Sequence, residues 1–458
     1  MDATIATHNA PTVQLRIERM TYGTDAIAHA DDGKTVFVAG AVAGDVVDAR
    51  IVQDEKTFAK AVVQNIVAPS PARVAPACPY ANVCGGCPWA AVSYDAQLTA
   101  KRANVVDALV RIGHMDPDRT EELVDPCEAP GKPWGYRNKI ELAFKREGRR
   151  AILGMHATEQ GARKTGKTPA VIKVDACPLM DTRHKKLVKS VSGALGYLAG
   201  SSDVELERVG IRASSRTKDV EVALWTGTGP FPRAQAAKVI KDATKATSVV
   251  RVLSKGPTKA RKVSGVEVLA GRGHWRERVA GGTMMLSAPS FFQVNTTGAE
   301  RLVELVLEGL EPTESDEAMD LYCGAGTFTL PLAERSGWVS AVESYGPAVR
   351  DLRRNLDAAN LPNAEPIGGD AGREFPDVDA DVIVVDPPRA GLAEDVVEKL
   401  CAQPARALAY VSCDPATLAR DLARFAKRGV FSPTRITPVD LFPQTYHVET
   451  VCLLTRNG

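Results

Sequence analysis

The sequence predicts a multidomain protein with three parts: a small N-terminal OB-like β-barrel, an α+β middle, and a C-terminal Rossmann-like α/β layer. Three observations lead there. Short strand patterns punctuated by glycine crowd the first seventy residues, a proline-rich joint with clustered cysteines follows, and from about Ser290 strand and helix patterns alternate. At 458 residues the chain is long enough for two or three domains, each with its own core. A composition of 44% hydrophobic and 25% charged residues is that of an ordinary globular protein.

The barrel expectation rests on alternating runs such as Val13–Ile17, Thr35–Val38 and Val46–Val52. Turn signals separate them at Tyr22-Gly23, at Gly33 and at Gly44-Asp45. Several short strands in under sixty residues suit a small closed sheet, OB-like in size, and the pattern alone equally allows an SH3-like barrel. The joint runs from Ala68 to Pro76, and a helix is expected over Tyr94–Ile112, ended by Gly113. From Trp134 to about Arg278 the pattern is mixed. Beyond Ser290, strands are expected at Ala318–Tyr322, Trp338–Val342, Asp381–Val385 and Ala407–Val411. Helical segments between most of them imply parallel pairing with crossovers.

Formal net charge is only +1, so charge has to be read locally. Between Lys132 and Lys167 ten Lys or Arg face three acids, a concentration that suggests phosphate contact; Arg251, Lys255, Lys259, Arg261 and Lys262 form a weaker second group. The N-terminus is polar and no stretch approaches eighteen apolar residues, so neither a signal peptide nor a membrane span is expected. Nine cysteines, an odd number unevenly spread, argue against a secreted disulfide framework and for a cytoplasmic setting with thiols left for metal or catalysis.

The segment Asp320-Leu321-Tyr322-Cys323-Gly324-Ala325-Gly326-Thr327 is a strand running into a glycine turn and a helix, a geometry that lets backbone approach a ligand. Glu343 ends the next strand about twenty residues on, where an acid suits the hydroxyls of a ribose. The third glycine of the dinucleotide fingerprint is missing, which favours S-adenosylmethionine over a pyrophosphate. Asp370 follows a further strand, and Asp386-Pro387-Pro388-Arg389 makes a rigid loop at the carboxyl end of another. At the same edge Ser412-Cys413-Asp414-Pro415 places a thiol just before a helix opened by proline. A helix N-terminus there is expected to lower the thiol's pKa. Near the end, Tyr446-His447-Val448-Glu449 offers Glu449, with His447 competing, as a base.

Together with Phe291-Phe292-Gln293-Val294-Asn295, these segments closely resemble the RNA uracil-5 methyltransferase family, which makes 5-methyluridine. The resemblance implies a class I methyltransferase domain whose S-adenosylmethionine site is lined by Gln293, Tyr322, Thr327, Glu343, Asp370 and Asp386. Thr327 stands where relatives often carry Asn. It implies Cys413 as the nucleophile that adds to carbon-6 of uracil, making carbon-5 reactive, and Glu449 as the base that removes the carbon-5 proton. The uridine is expected to flip out of the RNA stack to reach them.

Upstream, the barrel resembles a TRAM domain. Cys78, Cys84, Cys87 and Cys177 look like the four-cysteine [4Fe–4S] site of one family branch, although four thiolates also suit structural zinc. The implied division is 10–69 for the barrel, 70–92 and 126–278 for the central iron–sulfur and RNA-binding domain, and 93–125 and 279–458 for the methyltransferase domain. The expected substrate is RNA, 23S rRNA favoured over tRNA, acted on by a monomer. The rivals are an amino-methyltransferase, which uses Asp-Pro-Pro loops but needs no thiol, a cytosine-5 methyltransferase, and a non-catalytic RNA-binding or assembly factor.

Overall fold

The computed structural model describes residues 11–148, 150–158, 171–256 and 262–458. The first sheet has six strands, with Thr12–Arg16 at one edge, then Val46–Asp54, Phe58–Ala68, Thr35–Ala39, Asp25–His29 and the two-residue Arg19–Met20. Alternation in Thr35–Ala39 buries Val36 and Val38 and leaves their neighbours half-exposed, as one inner face requires. The long strands Val46–Asp54 and Phe58–Ala68 pair antiparallel through several register shifts, which bend them around the core formed by Leu15, Val36, Val38, Val47 and Ala61.

The middle of the chain builds a seven-stranded sheet whose central strands are Arg208–Ala213 and Val220–Thr226. Helices Leu187–Ser201 and Arg233–Thr244 are amphipathic and lay Val191, Leu195, Leu198, Ala236 and Ile240 on it. Arg251, expected in a surface basic group, is instead buried at 1% exposure. Its guanidinium donates to Thr226 Oγ1 at 2.7 Å and to the carbonyls of Gly227 and Gly229, and it pairs with Glu267 at 3.2 Å. A buried arginine keeps its charge only with such partners, so this residue braces a strand end and faces no RNA. Lys259 and Arg261 of that group, and Arg149, Arg163, Lys164 and Lys167 of the larger one, lie outside the described residues.

The C-terminal sheet runs Ala364–Gly368, Trp338–Glu343, Glu317–Leu321, Val382–Val385, Ala407–Ser412, Glu449–Arg456 and Phe431–Val439. The first five pair parallel and the last two antiparallel. Ala407, Ala409 and Val411 face the helix Thr296–Leu310, while Leu408 and Tyr410 face the helices Glu394–Ala402 and Pro415–Arg428. Burial on both faces explains why these strands read as unbroken apolar runs. The helix Tyr94–Arg111 packs into the same layer, Val105 and Leu109 joining the core that holds Leu418, Leu422 and Phe425. Among the described residues no helix is long and apolar enough to cross a membrane.

Candidate active site

Strand Glu317–Leu321 has Trp338–Glu343 on one side and Val382–Val385 on the other, so strand order reverses there. Open α/β sheets bind ligands at that crevice, outside the carboxyl ends of the strands. The chain leaves the central strand through Tyr322 at φ 66°, Gly324 at 57° and Gly326 at 101°. A Cβ on Gly326 would stand 2.4 Å from Leu330 Cδ1 and 2.6 Å from Leu352 Cδ1, so the turn closes only with glycine there.

Glu343 fastens the turn from the next strand. Its Oε2 accepts from the Gly324 N–H at 3.0 Å and its Oε1 from the Tyr345 N–H at 2.6 Å. Asp320 lies fully buried behind the turn, with Oδ2 accepting from Thr329 Oγ1 at 2.6 Å and Oδ1 unpartnered. Burial, then the charge of Glu343, pushes its carboxyl up to about 7. Asp386 rises to about 7 for the same first reason, helped by Asp320 and Glu343. Phe292 packs in one apolar cluster with Ala325 of the turn, which carries Gln293 alongside; Gln293 Oε1 is buried with no partner. Asp370 is exposed, accepts from the Gly372 N–H at 3.1 Å, and lies close enough to Tyr322 to help burial raise that phenol to about 12. Thr327 is half-buried beyond Gly326.

A ligand-shaped need is visible in these contacts. Buried polar atoms without partners are rare in folded proteins, and here Gln293 Oε1 and Asp320 Oδ1 both lie beside a glycine turn. Two neighbouring acids, Glu343 and Asp386, complete a set of acceptors that fits a nucleoside's hydroxyls and cationic centre.

Cys413 follows the strand Ala407–Ser412 directly and is half-buried. The helix behind it, Pro415–Arg428, does not lower its pKa as the sequence suggested. Asp414 is that helix's N-cap, its Oδ1 accepting from the N–H groups of Ala416 at 3.0 Å and Thr417 at 3.1 Å. The free amides that would favour a thiolate are thus already occupied by a carboxylate. Burial pushes the Cys413 thiol up to about 12, with Glu449, Asp386 and Asp414 adding to it and Arg389 opposing. Glu449 is buried at 3% exposure with Oε2 unpartnered. Its carboxyl is held well above the usual range by burial and then Asp386, again against Arg389. His447 is driven down to about 4 by burial, Arg389 and other cations, so it is neutral, and its ring lies in a cluster with Phe442, Tyr446 and Tyr22.

The structure therefore gathers Cys413, Glu449 and Asp386 around one point, with His447 beside them. Sequence reading missed Asp320 and Arg389, although both stand inside motifs it had singled out. It also missed Tyr22, whose hydroxyl donates to the Cys413 carbonyl at 2.9 Å across 391 positions of sequence.

Cys78, Cys84, Cys87 and Cys177 are all half-buried in a second neighbourhood. Burial raises Cys84, Cys177 and Cys87, the last to about 12, and Cys78 adds to the rise of each. The Gly86 N–H donates to Cys84 Sγ at 3.4 Å and the Leu179 N–H to Cys177, while Arg137 favours the thiolate of Cys87 and of Cys177. Among the described residues no three His, Cys, Asp or Glu side chains are disposed to hold a single metal ion. Three described members of the expected basic face are held by acids. Lys139 binds Glu141 at 2.7 Å, Lys145 binds Glu147 at 3.1 Å and Arg146 binds Asp203.

Comparison with known proteins fits this geometry. Residues 11–63 match the TRAM domain model, 296–410 the methyltransferase small domain, and 370–457 the tRNA (uracil-5-)-methyltransferase model. An uncharacterized RNA methyltransferase of Thermosynechococcus vestitus is 34% identical over 97% of this chain and 98% of its own length. One of Gloeobacter violaceus is 34% identical over 97% of each. A crystal structure of Pyrococcus abyssi tRNA (uracil-54, C5)-methyltransferase in complex with S-adenosyl-L-homocysteine superposes with a TM-score of 0.73 at 25% identity, covering 97% of this chain and 100% of that one. Fold, cofactor crevice and N-terminal barrel together define an S-adenosylmethionine-dependent RNA methyltransferase. Within that class the chain belongs to the RNA uracil-5 methyltransferase family.

Proposed function

We propose that this enzyme methylates carbon-5 of a specific uridine in RNA, with Cys413 as nucleophile and Glu449 as base. The observation that carries this reading is the meeting of a thiol and a buried carboxyl, the carboxyl near enough to raise the thiol and both sharing Asp386 and Arg389 as charged neighbours, at the end of the sheet where the glycine turn lies. The Cys413 thiol gives its proton to solvent, its sulfur adds to carbon-6 as the thiolate, and the carbon-5–carbon-6 pair moves toward the carbon-4 oxygen as an enolate. S-adenosylmethionine, when bound, supplies an electrophilic methyl group to carbon-5. Glu449 then takes the carbon-5 proton, the double bond re-forms, and the thiolate leaves. A carboxyl whose charged form is destabilised by burial is the stronger base once ionised, which suits Glu449 to that step. Arg389 favours the ionised forms of both Cys413 and Glu449. In this reading Gln293, Tyr322, Thr327, Glu343, Asp370 and Asp386 hold the cofactor, the unpartnered Gln293 Oε1 being the clearest sign.

RNA containing 5-fluorouridine tests it, because fluorine blocks the last elimination. A covalent protein–RNA adduct should accumulate with the parent enzyme, and equal trapping by Cys413→Ala would sink the mechanism.

For the substrate, the four-cysteine resemblance favours 23S rRNA. The full-length likeness to an enzyme named for tRNA uracil-54 favours tRNA as the second reading. Mapping 5-methyluridine in both RNAs from a deletion strain separates them.

Cys78, Cys84, Cys87 and Cys177 would hold a [4Fe–4S] cluster. Four thiolates suit such a cluster and suit a structural zinc as well, and it is the resemblance of the cysteine spacing that favours the cluster. Protein purified anaerobically should be brown and carry iron and sulfide. A colourless protein with one zinc and no iron overturns the assignment.

A further inference from the structure

The N-terminal barrel and the methyltransferase layer exchange tyrosines. Tyr22 sits on the barrel's turn after Arg19–Met20, yet it packs against the apolar core of the C-terminal layer. Tyr446, on the loop leading to Glu449, packs against the core of the barrel. The two rings meet edge-to-face at 5.5 Å and 82°, and Tyr22 also meets the ring of His447 at 6.4 Å and 80°.

The Tyr22 turn is held from both sides. Thr21 Oγ1 donates to the Asp25 carbonyl at 2.5 Å, and Trp89 Nε1 donates to the Gly23 carbonyl at 3.2 Å. Trp89 is fully buried, and its backbone N–H donates to the Gln444 carbonyl at 3.1 Å, tying that turn to the loop that ends in Glu449. From this anchored position the Tyr22 hydroxyl reaches the Cys413 carbonyl at 2.9 Å.

The peptide after Cys413 is otherwise fixed mainly from its own neighbourhood, Ser412 Oγ accepting from the Asp414 N–H at 3.3 Å and Asp414 capping the helix. A restraint on the carbonyl of a residue limits rotation about its ψ and so fixes where its side chain projects. We infer that Tyr22 is a positioning residue for the nucleophile, supplied by the barrel, so that the methyltransferase layer's active site is complete only with the barrel seated on it. The inference rests on the reading of Cys413 as nucleophile, and it assigns the barrel a part in catalysis besides RNA contact.

The test uses the full-length chain with Tyr22→Phe, which keeps the ring packing and removes only the hydroxyl. Single-turnover adduct formation on 5-fluorouridine RNA, steady-state kcat and KM, and amide exchange of the peptide spanning residues 411–418 are measured together. Losing one ordinary hydrogen bond should slow adduct formation and lower kcat about threefold to tenfold, leave KM for RNA within about twofold, and speed exchange in that peptide by a similar factor. Exchange elsewhere and the melting temperature should stay as in the parent. Unchanged kcat and unchanged exchange overturn the inference. A raised KM with unchanged kcat also overturns it, since Tyr22 would then serve RNA binding alone. So does a lowered melting temperature with faster exchange throughout the barrel, the mark of a merely structural residue. Amide exchange needs neither RNA nor cofactor. If Cys413→Ala still traps adduct, the nucleophile reading fails by itself, while exchange continues to report whether Tyr22 holds the loop.

Discussion

Lys101 Nζ lies 2.5 Å from Asp440 Oδ1 with neither side chain exposed. Lys101 also donates to the Phe442 carbonyl at 3.2 Å, and Asp440 Oδ1 accepts from the Phe442 N–H at 3.0 Å. Through this pair the helix Tyr94–Arg111 grips the loop that runs on to His447 and Glu449. Burial drives Lys101 down and Asp440 up, so each needs the other to stay charged. Lys101→Met should therefore destabilise the protein by about 3–5 kcal/mol by stranding a buried carboxyl. Pairing it with Asp440→Leu should recover most of that loss in denaturant melts, since two apolar side chains leave no charge behind. A single mutant as stable as the parent would mean that the pair is not buried in solution.

Asp414 stands between Cys413 and the helix that was expected to activate it. Its charge raises the thiol's pKa, so removing the charge should lower that pKa and increase the thiolate fraction at any pH below it. Asp414→Asn keeps an N-cap of similar strength. At a fixed mildly alkaline pH, iodoacetamide should label the Cys413 peptide about twofold to tenfold faster in this variant, the effect of one partly screened neighbouring charge. Slower labelling would show that the carboxylate does not act on the thiol.

Arg389 works in the opposite sense, lowering both Cys413 and Glu449. Arg389→Ala should raise both, so the acid limb of the kcat–pH profile moves to higher pH and activity at neutral pH falls. About tenfold is the scale of one charge interaction in a half-buried site. An acid limb that stays in place would remove Arg389 from the catalytic electrostatics.

Much of the edge was legible because strands buried on both faces announce themselves as apolar runs, and the residue after such a run has only one place to be. Ala407–Ser412 fixes Cys413 in this way, and Trp338–Glu343 fixes Glu343. What sequence concealed was the direction of side chains. Asp414 before a helix-opening proline is itself a cap signature, so the loss of the helix N-terminus to that carboxylate was readable in principle. Arg251 lies in a run of apolar residues whose partners, Thr226 and Glu267, come from neighbouring strands, and pattern alone cannot supply them. Tyr22 contacts the site through a fold-level juxtaposition of two domains that no local motif encodes.

Glu343 holds the glycine turn by accepting from the Gly324 N–H, and its other oxygen accepts from the Tyr345 N–H beside it. Glu343→Ala should weaken S-adenosylmethionine binding about tenfold to a hundredfold, since charged hydrogen bonds are lost and the turn loosens. Titration calorimetry on the free enzyme reads this directly. A Kd within about twofold of the parent's would place the cofactor elsewhere.

Glu449→Gln separates the two halves of the proposed reaction. Glutamine keeps the volume of the buried side chain but cannot take a proton, so sulfur addition and methyl transfer proceed while the last elimination stalls. With ordinary uridine RNA and S-adenosylmethionine, this variant should accumulate a denaturation-resistant methylated adduct, and its turnover should fall by about a hundredfold to ten-thousandfold. The nearby His447 is already neutral at physiological pH, held down to about 4, so it is the group able to substitute as base. If Glu449→Gln turns over normally and His447→Ala in its place accumulates the adduct, the base is His447. Loss of adduct in Glu449→Gln with 5-fluorouridine RNA as well would instead assign Glu449 to the addition step, where its proton and not its charge is what the uracil needs.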